Sequence, residues 1–352
     1  MYYIFITIII ILIIAISMSI NLFYPPQIES FNPDHVFDRP TQIQNFNGVD
    51  SLPINNYVIK SSYNSAHDSR GYVSKDSIKY NLSRGCRLLD FEIVYDPSSE
   101  AAAFIGKAAG NRNDALDSKN KLLLDDACDT IASYAFSHPI PNPNDPLFIH
   151  LRIKPLIDEN DEANTDIFDN ISSTIEFKFR SLLFSGDVDV NSTPLSQLKN
   201  KIVMIIENND NYDFTDTFEF SFLESKVNGT TISVRPYDQY VSASKTLFSF
   251  FSTDSQKDDA SKPEIVFDSM GKMIQPNDFR VAIPEYSFAS DFVNEPSCYP
   301  MIADYAVQSC GFRFYRKSSN LEEYENLFNH FKSSFIPLEN ARAYIQRLIR
   351  DA

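Results

Sequence analysis

The chain of 352 residues carries 31 Lys and Arg against 47 Asp and Glu, a net charge of −16. That balance excludes a nucleic-acid binder, which needs a cationic face, and disfavours broad electrostatic adhesion to anionic lipid. With 43% hydrophobic and 22% charged residues, the chain has material for a real core and is not a disordered one; its length allows two domains or one large one.

Tyr2–Ile16 read YYIFITIIIILIIAI, and no charged side chain precedes Glu29. Residues 1–23 are long enough to cross about 30 Å of hydrocarbon as a helix. Two alternatives stand: an uncleaved single-pass anchor, which places the protein in a membrane, or a signal peptide cut near Ala15 and Ser17, which would secrete it. The missing basic residues ahead of the apolar run favour the anchor. Neither flank carries the Lys/Arg cluster that sets orientation. Residues 24–55, rich in Pro, Asn, Gln and Asp, read as a tether to a globular part at 56–352.

From Tyr57 the pattern alternates. YVIKSSYN is a β-branched apolar run. Ser74 then reads as an N-cap, with Ile78 and Leu82 on one helix face and Gly85 as the stop. CRLLDFEIVY is a second strand, and Leu124, Cys128, Ile131 and Ala135 form a helical stripe. PLFIHLRIK, a helix over about 167–183 and KIVMIIEN follow. TISVRP, FRVAIPE and SCGFRFY read as later strands, and the acidic stretch 252–263 as an exposed connector. Two amphipathic helices close the chain, one lined by Tyr324, Leu327, Phe328 and Phe331, the other by Ala341, Tyr344, Ile345, Leu348 and Ile349. This alternation predicts a parallel α/β architecture, a single (β/α)8 TIM-type barrel preceded by the N-terminal helix. Cys86, Cys128, Cys298 and Cys310 show no CxxC pairing, which speaks against zinc. Four Asn-X-Ser/Thr sequons stand at Asn81, Asn170, Asn191 and Asn228.

Several segments resemble the X-box barrel of phosphoinositide-specific phospholipase C. IKSSYN (59–64) is similar to the family's first strand, which ends in Ser-Ser-His-Asn. LSRGCRLLDFEIVYDP (82–97) is similar to its Arg-Gly-Cys-Arg turn and acidic second strand. FIG (104–106), SKNKLLLDDACDTIASYAFS (118–137), PLFIHLRIK (146–154) and LKNKIVMIIEN (198–208) follow in the family's order. AIPEYSFASDFVN and CGFRFY match more loosely. The membrane segment and the Ile/Asn bias make the chain similar to the degenerate phospholipase C-like proteins of large DNA viruses, which would put it in a virion or host membrane.

The resemblance implies a mechanism with two histidines and a calcium ion held by an Asn and three carboxylates. Here the first histidine position is Tyr63, whose phenol has a reference pKa of about 10 and is a poor proton shuttle; the second is Ile105. Of the metal ligands Asn64, Asp90 and Glu92 remain, and the last carboxylate is replaced by Arg152. The substrate-phosphate lysines fall at Ile205 and Glu207, with Lys154 as a second substrate-binding candidate beside Glu207. Period-2 alternation puts His150, Arg152 and Lys154 on one face of their strand, and Asp90 and Glu92 on one face of theirs. A guanidinium cannot coordinate a cation, so Arg152 is predicted to take the cation's place and pair with Asp90 and Glu92. Calcium is therefore not expected to bind, and no cofactor is.

Two functions remain open. One is a membrane-anchored phosphodiesterase-fold module without calcium-dependent turnover, binding a phospholipid head group or a protein partner. The other is a calcium-independent phosphoric diester hydrolase with His67 as base oriented by Asp68, Arg152 as the phosphate cation and His150 as acid.

Overall fold

The computed structural model describes residues 37, 39–95, 102–108, 116–154, 161–207, 218–226, 232–240, 278–284 and 294–351. Residues 1–23, read above as an anchor or signal peptide, the acidic stretch 252–263 and the sequon at Asn228 lie outside the described residues. Among the described residues no helix is long and apolar enough to cross a membrane.

The strands among the described residues are β1 (Tyr57–Ser62), β2 (Leu88–Tyr95), β3 (Ala103–Ile105), β4 (Leu122–Leu123), β5 (Leu147–Ile153), β6 (Ile202–Glu207), β7 (Phe222–Lys226), β8 (Ile232–Pro236), β9 (Phe279–Ile283), β10 (Ser309–Phe312) and β11 (Phe335–Pro337). Their order is β11-β1-β10-β9-β8-β7-β6-β5-β2-β3-β4, and a further β1–β2 pairing closes the ring. Eight strands (β1, β2 and β5 through β10) pair in parallel as a closed barrel. β11 is added antiparallel to β1, and β3–β4 form a hairpin off β2.

Alternation along the strands separates two cores. Ile59, Leu88, Phe148, Val203, Ile205, Leu223, Val234 and Val281 belong to the cluster that fills the barrel. The intervening residues, among them Val58, Leu89, Ile149 and Met204, join the larger cluster between barrel wall and helices.

The helices are α1 (Lys75–Ser83), α2 (Leu124–Tyr134), α3 (Asp161–Phe179), the single turn α4 (Tyr237–Tyr240), α5 (Tyr299–Tyr305), α6 (Ser319–Phe331) and α7 (Leu338–Asp351). Ser74 caps α1 by accepting from Ser77 N–H, and Ser318 caps α6 by accepting from Leu321 N–H, each satisfying an otherwise unpaired first-turn donor. Gly85 ends α1 at φ +79°, and a Cβ there would meet Ile43 Cγ2 at 2.9 Å. Both backbone conformation and space therefore require glycine.

The segment read as a tether differs from that expectation at its C-terminal end. Phe37, Ile43, Phe46 and Ile54 are buried, and Phe46 packs edge-on against Tyr57 and Phe335 at ring distances of 5.6 and 6.4 Å. Phe46 N–H also donates to Asp145 Oδ1 at 2.7 Å. From residue 37 onward the segment is thus a strap packed on the barrel. Its apolar residues follow neither helical nor strand periodicity, so composition outweighed them in the sequence.

Candidate functional site

The C-terminal ends of β1, β2 and β5 converge on one guanidinium. Beyond β1 the chain turns through Asn64, whose φ of +46° is a left-handed conformation that Asn tolerates better than most side chains. The turn is stitched to β2: Ser65 N–H donates to Asp90 O at 2.8 Å, Asp90 N–H donates to Ser65 Oγ at 2.9 Å, and Asn64 N–H donates to Asp90 Oδ2 at 3.0 Å. In the β2–β5 register Asp90 stands opposite His150 and Glu92 opposite Arg152, so alternation turns all four inward.

Arg152 is fully buried. Its Nε donates to Asp90 Oδ1 at 2.9 Å and its Nη2 to Asp90 Oδ2 at 2.9 Å, a bidentate fork. Nη1 donates to Glu92 Oε2 at 2.7 Å, and Nη2 also donates to Asn64 Oδ1 at 2.5 Å. The Tyr63 ring lies 4.7 Å from the guanidinium carbon, in cation–π range. Glu92 Oε1 accepts from Ala108 N–H at 2.7 Å. Burial pushes the Asp90 carboxyl upward, but Arg152 and His150 oppose it and hold its pKa well below the ordinary carboxylate range. Burial likewise pushes the Tyr63 phenol far above its usual value, which removes it as a proton shuttle near neutrality.

The other site candidates fall around this centre. His150 Nδ1 is 2.9 Å from Asp90 Oδ1, while its Nε2 has no hydrogen-bond partner among the described residues. His67 is buried with neither ring nitrogen bonded among the described residues, and burial depresses its pKa to about 4. Asp68 does not orient it. The Asp68 carboxylate accepts from Arg70 N–H at 2.8 Å and Tyr72 N–H at 2.9 Å, closing a side-chain turn; a local backbone donor outcompetes the neighbouring imidazole. Lys154, at the end of β5, has its pKa lowered by burial, with Glu92, Arg152 and Glu207 among the charges acting on it. Ile105 is a buried residue of β3 opposite Ile93, and Ile205 stands opposite His150 inside the barrel.

A second buried ion cluster, missed in the sequence, lies outside the barrel wall. Lys60 Nζ is 2.8 Å from Glu325 Oε1 and donates to Arg84 O at 2.6 Å. Arg84 Nη2 donates to Glu325 Oε2 at 2.6 Å. The available signals were a lysine inside an apolar strand and a glutamate within the α6 apolar stripe. A third pair, Arg313 Nε donating to Glu295 Oε1 at 2.5 Å, follows β10.

A family model, the phosphatidylinositol-specific phospholipase C X domain, matches residues 51–208. This stretch is similar to that X domain. It takes in the strap's last residues and the barrel from β1 through β6, including every member of the Arg152 cluster. Among solved structures the chain is similar to PLC21 of L. pealei, with a TM-score of 0.58 at 13% identity, covering 85% of this chain and 39% of that one. PLC21 of S. officinalis gives a TM-score of 0.57 at 14% identity, covering 85% and 38%. The chain thus spans about two fifths of those proteins, and the likeness concerns the fold. No curated protein matches the chain in sequence.

Calcium is the ion that resemblance to the X domain implies, and it binds six to eight oxygens. Here Asn64 Oδ1 and the carboxylates of Asp90 and Glu92 all accept from Arg152, and a cation brought among them would face a fixed guanidinium. Among the described residues no group of three or more His, Cys, Asp and Glu is placed to hold a metal. The residues present do not fit the ion.

Proposed function

We propose that this chain is a membrane-tethered X-domain relative whose barrel mouth is filled by its own guanidinium, and that it serves as a binding or structural module rather than a calcium-dependent phospholipase. The observation that carries this reading is the fourfold donation of Arg152 to Asn64, Asp90 and Glu92. The same three side chains would have to hold calcium in a working enzyme of the implied kind. Tyr63 and Ile105 at the two implied histidine positions support it, because neither transfers a proton near neutrality. Residues 1–23 supply the tether in this reading, and the virion or host membrane is the site that the viral resemblance suggests.

The alternative, a calcium-independent phosphoric diester hydrolase, draws support from the unbonded ring nitrogens of His67 and from His150 Nε2 beside the cluster. It is weakened by Asp68, which turns away from His67.

The full chain in detergent, assayed on phosphatidylinositol and on a glycerophosphodiester with calcium or chelator, is expected to show no turnover. Hydrolysis in chelator that disappears in both His67→Ala and Arg152→Ala would establish the alternative. Carbonate extraction is expected to leave the full chain in the membrane pellet; a soluble mature chain beginning near Met18 would show cleavage and secretion instead.

A further inference from the structure

The strap packed on the barrel is pinned at two places and unattached between them. On one side Phe46 N–H donates to Asp145 Oδ1 at 2.7 Å, and the Phe46 ring lies against Tyr57 and Phe335. On the other, Val49 O accepts from Tyr57 O–H and Asp50 O accepts from Ser196 N–H at 2.8 Å. Asp50 Oδ2 also accepts from Lys199 Nζ at 2.6 Å. Between these pins stand Asn47 and Gly48, both exposed. Neither the Asn47 carboxamide nor Gly48 N–H makes a hydrogen bond among the described residues. The buried Phe46 ring covers Gly48 so closely that a Cβ there would meet Phe46 Cζ at 2.7 Å. Packing therefore holds position 48 to glycine.

An asparagine carboxamide and the next backbone nitrogen are electrophile and nucleophile separated by the span of a five-membered ring. Their reaction needs an amide N–H without an acceptor, a carboxamide free to turn, and no Cβ on the following residue to crowd the ring. Asn47-Gly48 meets all three conditions. Asn64-Ser65 meets none: Asn64 Oδ1 accepts from Arg152, and Ser65 N–H is held by Asp90 O. The sequence's other Asn-Gly pair, at 228–229, lies outside the described residues.

We propose that Asn47-Gly48 is a self-modifying site with water as its co-reactant, and that its conversion loosens the strap from the barrel. Solvent takes the proton of Gly48 N–H, and the nitrogen's electron pair forms a bond to Asn47 Cγ. The Cγ–Nδ2 bond breaks, and Nδ2 leaves with that electron pair, gains a proton and departs as ammonia. Water then adds to either carbonyl of the cyclic imide and opens it to an aspartyl or an isoaspartyl linkage. The aspartyl form adds only a carboxylate. The isoaspartyl form carries the main chain through the side-chain carbons and lengthens it by one methylene. With Phe46 and Val49 both fixed, that added length displaces a pin, and the Phe46 ring loses its place against Tyr57 and Phe335.

The test uses the full chain in detergent, in an Asn228→Gln background, aged in warm, mildly alkaline buffer made with heavy-oxygen water. Peptide mass mapping is expected to show Asn47 exchanging its amide for one heavy oxygen. Part of the product should accept methyl groups from protein isoaspartyl methyltransferase, and Asn47→Gln should abolish both signals. Retention of the Asn47 amide in the folded chain, over a period in which the urea-unfolded chain converts, overturns the site. The isoaspartyl fraction should melt below the unaged chain and be cut by protease within the strap, whereas Asn47→Asp should behave as wild type. An isoaspartyl fraction that melts and resists protease like the unaged chain overturns the loosening.

Discussion

Inside the barrel one cation, Arg152, faces two carboxylates; outside its wall one carboxylate, Glu325, faces two cations, Lys60 and Arg84. Both groups are out of water, where an unpaired charge is strongly unfavourable. Each absorbs its local excess with backbone dipoles of the opposite sense. The excess of negative charge inside is met by N–H groups of Asn64 and Ala108. The excess of positive charge outside is met by the carbonyl oxygens of Arg84 and Arg39, and by the ring faces of Phe314 and Phe328 at 5.6 and 5.9 Å from Lys60 Nζ. The outer cluster joins β1 to α1 and α6 and needs no ligand to explain it. The inner one sits where strand ends of a TIM-type barrel gather functional side chains.

The comparison implies an order of damage. Arg152→Met takes the guanidinium from two buried carboxylates, and breaking one side of a buried pair costs about 3–5 kcal/mol. Thermal unfolding at pH 7 should therefore begin well below the wild type. The Asp90 pKa is held below its unfolded value of about 3.9, so its stabilisation is complete above that pH and is lost as pH falls through the folded value. Without Arg152 only His150 opposes burial, so the carboxyl rises relative to wild type and the variant gains on acidification. The difference in melting temperature should narrow below about pH 5. Equal melting of the two proteins at every pH would mean that the guanidinium does not neutralise the cluster.

Arg152→Glu sharpens the same point. It restores a carboxylate beside Asn64, Asp90 and Glu92, so its melting temperature should rise with millimolar calcium, while the wild type stays unmoved. A calcium-dependent rise in the wild type that disappears in Asp90→Asn would contradict the plugged site.

Lys60→Met should do less than Arg152→Met, because Glu325 keeps Arg84 as a partner. The expected loss is about 1.5–3 kcal/mol, the range of a hydrogen bond to a charged group, read by urea denaturation. If it equals or exceeds Arg152→Met, charge balance does not rank the clusters.

The smallest effect belongs to the helix caps flanking the outer cluster. Ser74→Ala and Ser318→Ala should each cost about 1 kcal/mol, additively with Arg152→Met because neither serine bonds to the inner cluster.

The sequence by itself determined the architecture. Apolar runs of the right length alternating with amphipathic stripes specify a βα barrel, since each element can bury its apolar side in one way only. It also determined the inner cluster's membership, because period-2 alternation turns Asp90, Glu92, His150 and Arg152 to one side of two neighbouring strands. Tertiary structure decided what alternation cannot reach. Only closure of the ring brings Asn64 to Arg152, 88 positions away, and only packing of α6 over β1 brings Glu325 to Lys60. The aperiodic anchors Phe37, Ile43 and Phe46 became core only once the barrel offered them a surface. Asp68 was claimed by two backbone donors nearer than His67. These outcomes depend on distances between remote segments and on competition among nearby donors, and neither is encoded in the period of a single strand or helix.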